Sequence, residues 1–209
     1  MIIDIHVHTA GYSPCSRINL RDAVARAKSI GLSGICITDH ESNGIASLAK
    51  EMEKREQFLV IVGMELLSLE GDLLVFGLEE VPDRQMHAQE LVDLVNAKGG
   101  AVVCAHPYRD NGRGMGDGLL DIKGLNGIES FNGNTPWEQN SKAHALGTAL
   151  HIPCLGGSDA HRTDRLGCYA TKFPAGIGDS RDFINAIKAG EVLPVMFDQR
   201  KNVYQEVRL

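Results

Sequence analysis

Along the chain, short continuous apolar runs alternate with segments in which apolar residues recur every three to four positions. Residues 2–7 form the first such run, with polar residues entering at its end. A turn-rich Gly11-Tyr12-Ser13-Pro14 follows, and residues 20–27 then carry helical spacing. The unit recurs, with 34–38 as strand and 45–55 as helix. Residues 59–64 and 73–77 predict two strands joined by a turn at Gly71-Asp72, and only this pair lacks an intervening helix. Beyond it the pattern predicts a helix over 85–98 ended by Gly99-Gly100, strands at 101–104 and 127–131, a helix over 137–150 and a strand at 152–155. A last helix over 181–189 and a closing strand at 192–196 complete the order.

Strands that alternate with helices and read as continuous apolar runs imply a mostly parallel sheet covered on its outer face. Seven or so strands fit a closed or nearly closed β/α barrel. The competing architecture, an open doubly wound sheet, would carry a Gly-rich phosphate loop after its first strand, and no G-x-G-x-x-G stands there. Residues 108–124 are Gly-rich and polar and are the expected mobile flap.

A length of 209 residues suits one domain, expected to span 1–209. Hydrophobic residues at 43% and charged residues at 23% exclude disordered, collagen-like and coiled-coil chains. No apolar run approaches the roughly 20 residues of a membrane span, and the N-terminus has no basic segment followed by an apolar one, so neither membrane insertion nor export is expected. A net charge of −6 offers no field for a long polyanion, which argues against an extended nucleic-acid groove. The five cysteines show no C-x-x-C spacing and read as small core residues of a reducing cytoplasm.

In a β/α barrel the chemistry sits at the C-terminal ends of the strands. There the chain places Asp4-x-His6-x-His8, Thr38-Asp39-His40, Glu65, His106-Pro107, Glu129-x-Phe131-Asn132 and Ser158-Asp159-Ala160-His161. Residues two apart on a strand face one side, so His6 and His8 can share an ion, and the same spacing holds for Asp159 and His161. A lone histidine at a strand end is ordinarily a hydrogen-bonded structural residue. Six strand ends offering the same chemistry make a shared metal centre the better reading. Imidazoles and carboxylates without evident thiolates suit Zn, Mn or Fe, and a bridging Glu65 would allow two or more ions. Such a centre supplies a hydroxide nucleophile near neutral pH and offsets oxyanion charge, as phosphoester hydrolysis requires. Asp4 and Asp39 stand where carboxylates that orient the imidazoles belong. Arg17, Arg109 and Arg165 follow ligand-bearing strand ends and are the candidate phosphate binders, Arg109 first because it follows His106-Pro107-Tyr108 directly. His87, His144 and His151 fall in or beside helices and read as surface or structural residues.

In these motifs, from Asp4 to about Gly167, the chain resembles the polymerase and histidinol phosphatase (PHP) family. The likeness rests on Asp4-Ile5-His6-Val7-His8-Thr9, Ile37-Thr38-Asp39-His40, Gly63-Met64-Glu65, Ala105-His106-Pro107, Ile128-Glu129-Ser130-Phe131-Asn132 and Gly157-Ser158-Asp159-Ala160-His161. It implies a distorted seven-stranded β/α barrel. It also implies a central ion on His6, His8, Asp159 and Glu65, a second bridged by Glu65 to His106, and a third on His40 and His161. Cys15 and Asn132 stand where the family usually offers firmer ligands, so two firmly bound ions and a weaker third are expected. The implied activity is hydrolysis of a small phosphate monoester or nucleotide by a hydroxide bridging two ions, with His6, His8, Glu65, Asp159 and His161 as catalytic residues. The alternatives are a short-chain nuclease, amidohydrolase-like hydrolysis of a non-phosphate substrate on the same ions, and a non-catalytic regulatory metal module.

Overall fold

The computed structural model describes residues 1–207. Its strands are β1 (Ile2–Val7), β2 (Gly34–Ile37), β3 (Leu59–Leu67), β4 (Asp72–Phe76), β5 (Ala101–Cys104), β6 (Gly127–Asn132), β7 (Cys154–Gly157), β8 (Tyr169–Lys172), β9 (Leu193–Asp198) and β10 (Val203–Glu206). Its helices are α1 (Leu20–Ser29), α2 (Ala46–Glu56), α3 (Ala88–Ala97), α4 (Trp137–Ala149) and α5 (Ser180–Ala189). None of the described helices is long and apolar enough to cross a membrane.

All ten strands join one sheet in the order β10-β9-β8-β1-β2-β3-β4-β5-β6-β7. β1, β2 and β3 run parallel, as do β5, β6 and β7, while β4 is antiparallel to both its neighbours and β8 to β10 add antiparallel strands beside β1. The curled sheet is consistent with the expected β/α barrel, but it is mixed in direction and has ten strands where seven were expected. The tight turn at Gly71 returns the chain beside β3 without a crossover helix, and such a return is antiparallel.

The curl brings β7 back to β1 and β8. Val7 and Ala160 form a parallel bridge, with His8 N donating to Ala160 O at 3.0 Å. The Thr171 hydroxyl accepts from Gly156 N at 2.9 Å and donates to Gly156 O at 2.8 Å. Glycine is needed on β7 for this approach, because a Cβ on Gly157 would lie 2.5 Å from Glu129 Oε1 and 2.7 Å from His6 Cβ.

Apolar side chains of β1 to β5 and β7, among them Ile3, Ile5, Ile61, Phe76, Val103 and Leu155, meet Phe183 and Ile187 of α5 in one buried cluster. α1 and α2 cover Ile35, Ile37 and Val60, and α3 and α4 cover Val75, Val102 and Ile128. The segment expected to be a mobile flap is packed down instead. Met115 and Leu119 are buried, Asp72 N donates to Arg113 O at 2.9 Å, and Gly116 N donates to Pro107 O at 2.7 Å.

Candidate metal centre

His6 lies near the end of β1 with His8 one residue past it, Glu65 lies in β3, and Asp159 follows β7. All four are buried. His6 Nε2 stands 3.0 Å from His8 Nε2, 3.5 Å from Glu65 Oε2 and 3.5 Å from Asp159 Oδ1. His8 Nε2 stands 3.3 Å and 3.1 Å from the same two oxygens. Donors held about 2.0–2.2 Å from one ion stand about 2.8–3.6 Å from one another in tetrahedral or octahedral geometry. All five of these distances fall within that spacing.

Hydrogen bonds fix which nitrogen of each ring faces inward. His6 Nδ1 lies 2.9 Å from Glu129 Oε1, and a carboxylate accepts only, so this nitrogen carries a proton and Nε2 is the atom that faces inward. The Ser13 hydroxyl donates to Asp39 Oδ1 at 2.7 Å and therefore accepts from His8 Nδ1 at 3.2 Å, which leaves the His8 Nε2 lone pair inward as well. His161 Nδ1 donates to Asp159 O at 2.9 Å.

Among the described residues three further groupings adjoin the first, one of them His6, His106 and Glu129. Glu65 Oε1 lies 2.9 Å from His106 Nε2, which is 3.7 Å from Asp72 Oδ2. His8, His40 and His161 make the last. His40 Nδ1 and Glu65 Oε2 are 2.8 Å apart yet out of hydrogen-bond alignment, and both are buried atoms without a hydrogen-bond partner. Buried polar atoms are almost always paired, so donors that converge without bonding to one another fit a site for divalent cations. The backbone is strained at the same place: His106 has φ 27° and Asp159 φ 51°, which cost of order 1–3 kcal/mol each.

The electrostatics agree. Burial works against a proton on His6, but Glu129, Asp159 and Glu65 outweigh it and hold His6 well above the usual imidazole range. Burial likewise opposes charge on Glu65 and Asp159, and His6 overrides it, holding both well below the carboxylate range. Burial lowers His8 to about 4. Burial together with the charge of Glu65 raises Asp72 to about 6. The centre is thus a nest of carboxylate charge that draws in positive charge.

His6, His8, His40, Glu65, His106, Asp159 and His161 are all brought together, as expected from the sequence. One geometric expectation is corrected. Asp159 and His161 lie beyond β7, and the left-handed backbone at Asp159, not a strand pleat, brings them together. Asp4 touches no imidazole. It accepts from Ser158 N at 2.9 Å and Gly167 N at 2.9 Å, and burial raises it to about 6. Asp39 reaches His8 only through Ser13. Asn132 Oδ1 already accepts from Arg109, Asn134 N and Thr135 Oγ1, and Cys15 is exposed and belongs to none of the groupings. Arg109 bonds Asp159, Asn132 and Thr135, whereas Arg17 is exposed and the exposed Arg165 bonds Gly133 O at 2.6 Å. His87 and His151 are exposed away from the centre, and His144 packs on Phe131.

Sequence reasoning gave no role to Glu129, Asp72 or Arg113. Glu129 orients His6 and accepts from His106 N at 3.0 Å. A charged residue inside a buried strand is seldom unpaired, and that was its available signal. Asp72 looked like a turn residue. It begins β4, fully buried, and is held bidentately by Arg113 at 2.6 and 2.7 Å.

The curled α/β sheet gathers imidazoles and carboxylates at and just beyond the ends of its strands, the face on which barrel folds carry their chemistry. Residues 4–104 match the PHP domain and residues 137–192 the PHP-associated region. The chain belongs to the PHP family, a family of metal-dependent phosphoesterases and related hydrolases. An uncharacterized protein of Methanocaldococcus jannaschii is 27% identical over 141 residues, 63% of this chain and 82% of that protein. Among solved structures, PsfC from Pseudomonas syringae PB-5123 superposes with a TM-score of 0.72 at 21% identity, over 95% of this chain and 92% of that one. An inferred metal-dependent phosphoesterase from Bifidobacterium adolescentis gives 0.67 at 18% identity over 88% and 95%. The lesion-specific endonuclease EndoQ from Pyrococcus furiosus gives 0.65 at 18% identity, over 90% of this chain but 56% of its own. At these identities the likeness is one of fold.

Proposed function

We propose that this protein is a metal-dependent phosphoesterase that hydrolyses a small phosphate monoester or nucleotide. The observation that carries the reading is the set of four inward donor atoms on His6, His8, Glu65 and Asp159, with the other oxygen of Glu65 turned to His106. Divalent ions such as Zn, Mn or Fe bound there supply Lewis acidity and a nucleophile near neutral pH. His6, His8, Glu65 and Asp159 hold the first position, Glu65, His106 and Asp72 the second, and His40 and His161 a weaker third. Asn132 is already committed to hydrogen bonds, which supports two firm positions rather than three.

The remaining work falls to fixed side chains. Arg109 is locked through Nη2 and Nε, which leaves Nη1 for a phosphate oxygen. Arg113, fixed by Asp72, adds a second guanidinium from the same segment. Arg17 and Arg165 are proposed as outer contacts for the anion. His161 keeps Nε2 without a hydrogen-bond partner among the described residues, and with Nδ1 donating to Asp159 O that atom offers its lone pair to the weaker third position. The five cysteines are free, which supports a reducing, cytoplasmic setting.

The test is phosphate release from sugar phosphates, nucleotides and amino-alcohol phosphates by Mn- or Zn-loaded protein, with single-stranded oligonucleotides as a further arm. Release from monoesters that vanishes in a His6→Ala/His8→Ala double variant is the expected result. Cleavage of oligonucleotides alone would replace the reading with a nuclease, and no release from any compound by metal-loaded protein would end it.

A further inference from the structure

Beside Arg109 lies a cavity of about 350 Å³ lined by Arg109, Asp110, Asn111, Asn134, Pro136 and Gln139. It adjoins the metal centre through two bonds to one residue, since Arg109 Nη2 donates to Asp159 Oδ2 and Asn134 Nδ2 donates to Asp159 O at 2.6 Å. We propose that this cavity is the subsite for the organic half of the substrate and that it takes a polyhydroxylated, sugar-like group. The inference rests on the phosphoesterase reading and narrows it.

The lining sets the chemistry. Asn111 Oδ1 accepts from Arg113 N at 3.1 Å, which leaves its Nδ2 as a donor. Asn134 has committed its Nδ2 and leaves Oδ1 as an acceptor. Gln139 Oε1 is buried with no hydrogen-bond partner, and the Asp110 carboxylate accepts only. The amide donors of Asn111 and Gln139 set among three acceptors suit hydroxyl groups, because each hydroxyl donates and accepts from a single atom. An apolar or aromatic group would leave these amides unpaired. A second phosphate would face Asp110. A nucleobase gains most from an aromatic plane to stack on, and no lining residue is aromatic.

Binding is measured by isothermal titration of Mn-loaded protein with non-hydrolysable phosphonates, so the result does not depend on turnover. A pentose or hexose phosphonate is expected to bind at least tenfold more tightly than phenylphosphonate. Gln139→Leu and Asn111→Leu should remove that preference while leaving phenylphosphonate affinity within twofold and the melting temperature unchanged. Equal affinity for the two phosphonates in the unmodified protein would overturn the subsite, as would equal losses for both ligands in the variants. So would a nucleoside phosphonate that binds more than tenfold more tightly than the matching ribose phosphonate. Sugar-selective binding without phosphate release from any monoester would instead retire the phosphoesterase reading and keep the subsite.

Discussion

Glu129 accepts from the His6 ring, the His106 backbone and the Asn132 amide, so one buried carboxylate positions two candidate ligands and the asparagine that braces Arg109. A glutamine there would no longer fix the proton of His6 on Nδ1. Glu129→Gln should therefore weaken metal binding about 10- to 100-fold, the usual effect of removing a partner behind a ligand, with the circular dichroism spectrum retained. Titration with Mn or Zn checks it, and unchanged affinity would remove Glu129 from the centre. The candidate ligands are legible because histidines at the ends of apolar runs break the pattern that surrounds them. Glu129 and Asp72 were harder to assign, because what a carboxylate touches depends on strands that pairing, not order, brings together. Asp39 is the intermediate case: its position at a strand end is legible, and its route to His8 through Ser13 is visible only in three dimensions.

Strand β7 packs closely against the centre, and its glycines are what permit it. In Gly157→Ala the added Cβ would press on Glu129 Oε1 and His6 Cβ. Overpacking of this kind costs about 1–3 kcal/mol, so a lower melting temperature is expected together with weaker metal binding, since the displaced atoms belong to the His6 bond. A loss of stability with metal affinity intact would show that β7 and the centre are independent. At this scale the five helices and the strands up to β7 follow from hydrophobic periodicity, with boundaries shifted by a few residues. β8 and β10 escape it, being four residues each with polar members, and they exist because β1 and β9 offer edges to pair with. Curl and mixed direction are equally invisible to periodicity, which records how a strand faces its core and not which strand lies beside it.

Across the whole molecule the centre couples stability to both pH and metal. His6, raised above 6.5, contributes stability that is complete below that value and lost as pH rises through its folded pKa. Glu65 and Asp159, lowered from 4.5 and 3.8, contribute stability present above those values and lost as pH falls through their folded ones. Metal-free protein should thus lose melting temperature on the alkaline side, where His6 gives up the charge that offsets its carboxylates. Metal-loaded protein should not, because the bound ion supplies that charge, so the gap between the two curves widens with pH. Parallel curves in calorimetry would show that the ion binds elsewhere. Asp4 and Ser158, 154 positions apart, are joined by the bond that sets the loop bearing Asp159 against the first strand. During synthesis at about 5–20 residues per second, the histidine pair emerges roughly 3–11 s before Glu65 and roughly 8–30 s before Asp159. A nascent chain therefore carries exposed imidazoles with an incomplete set of carboxylates, and selective metal loading belongs to the finished chain.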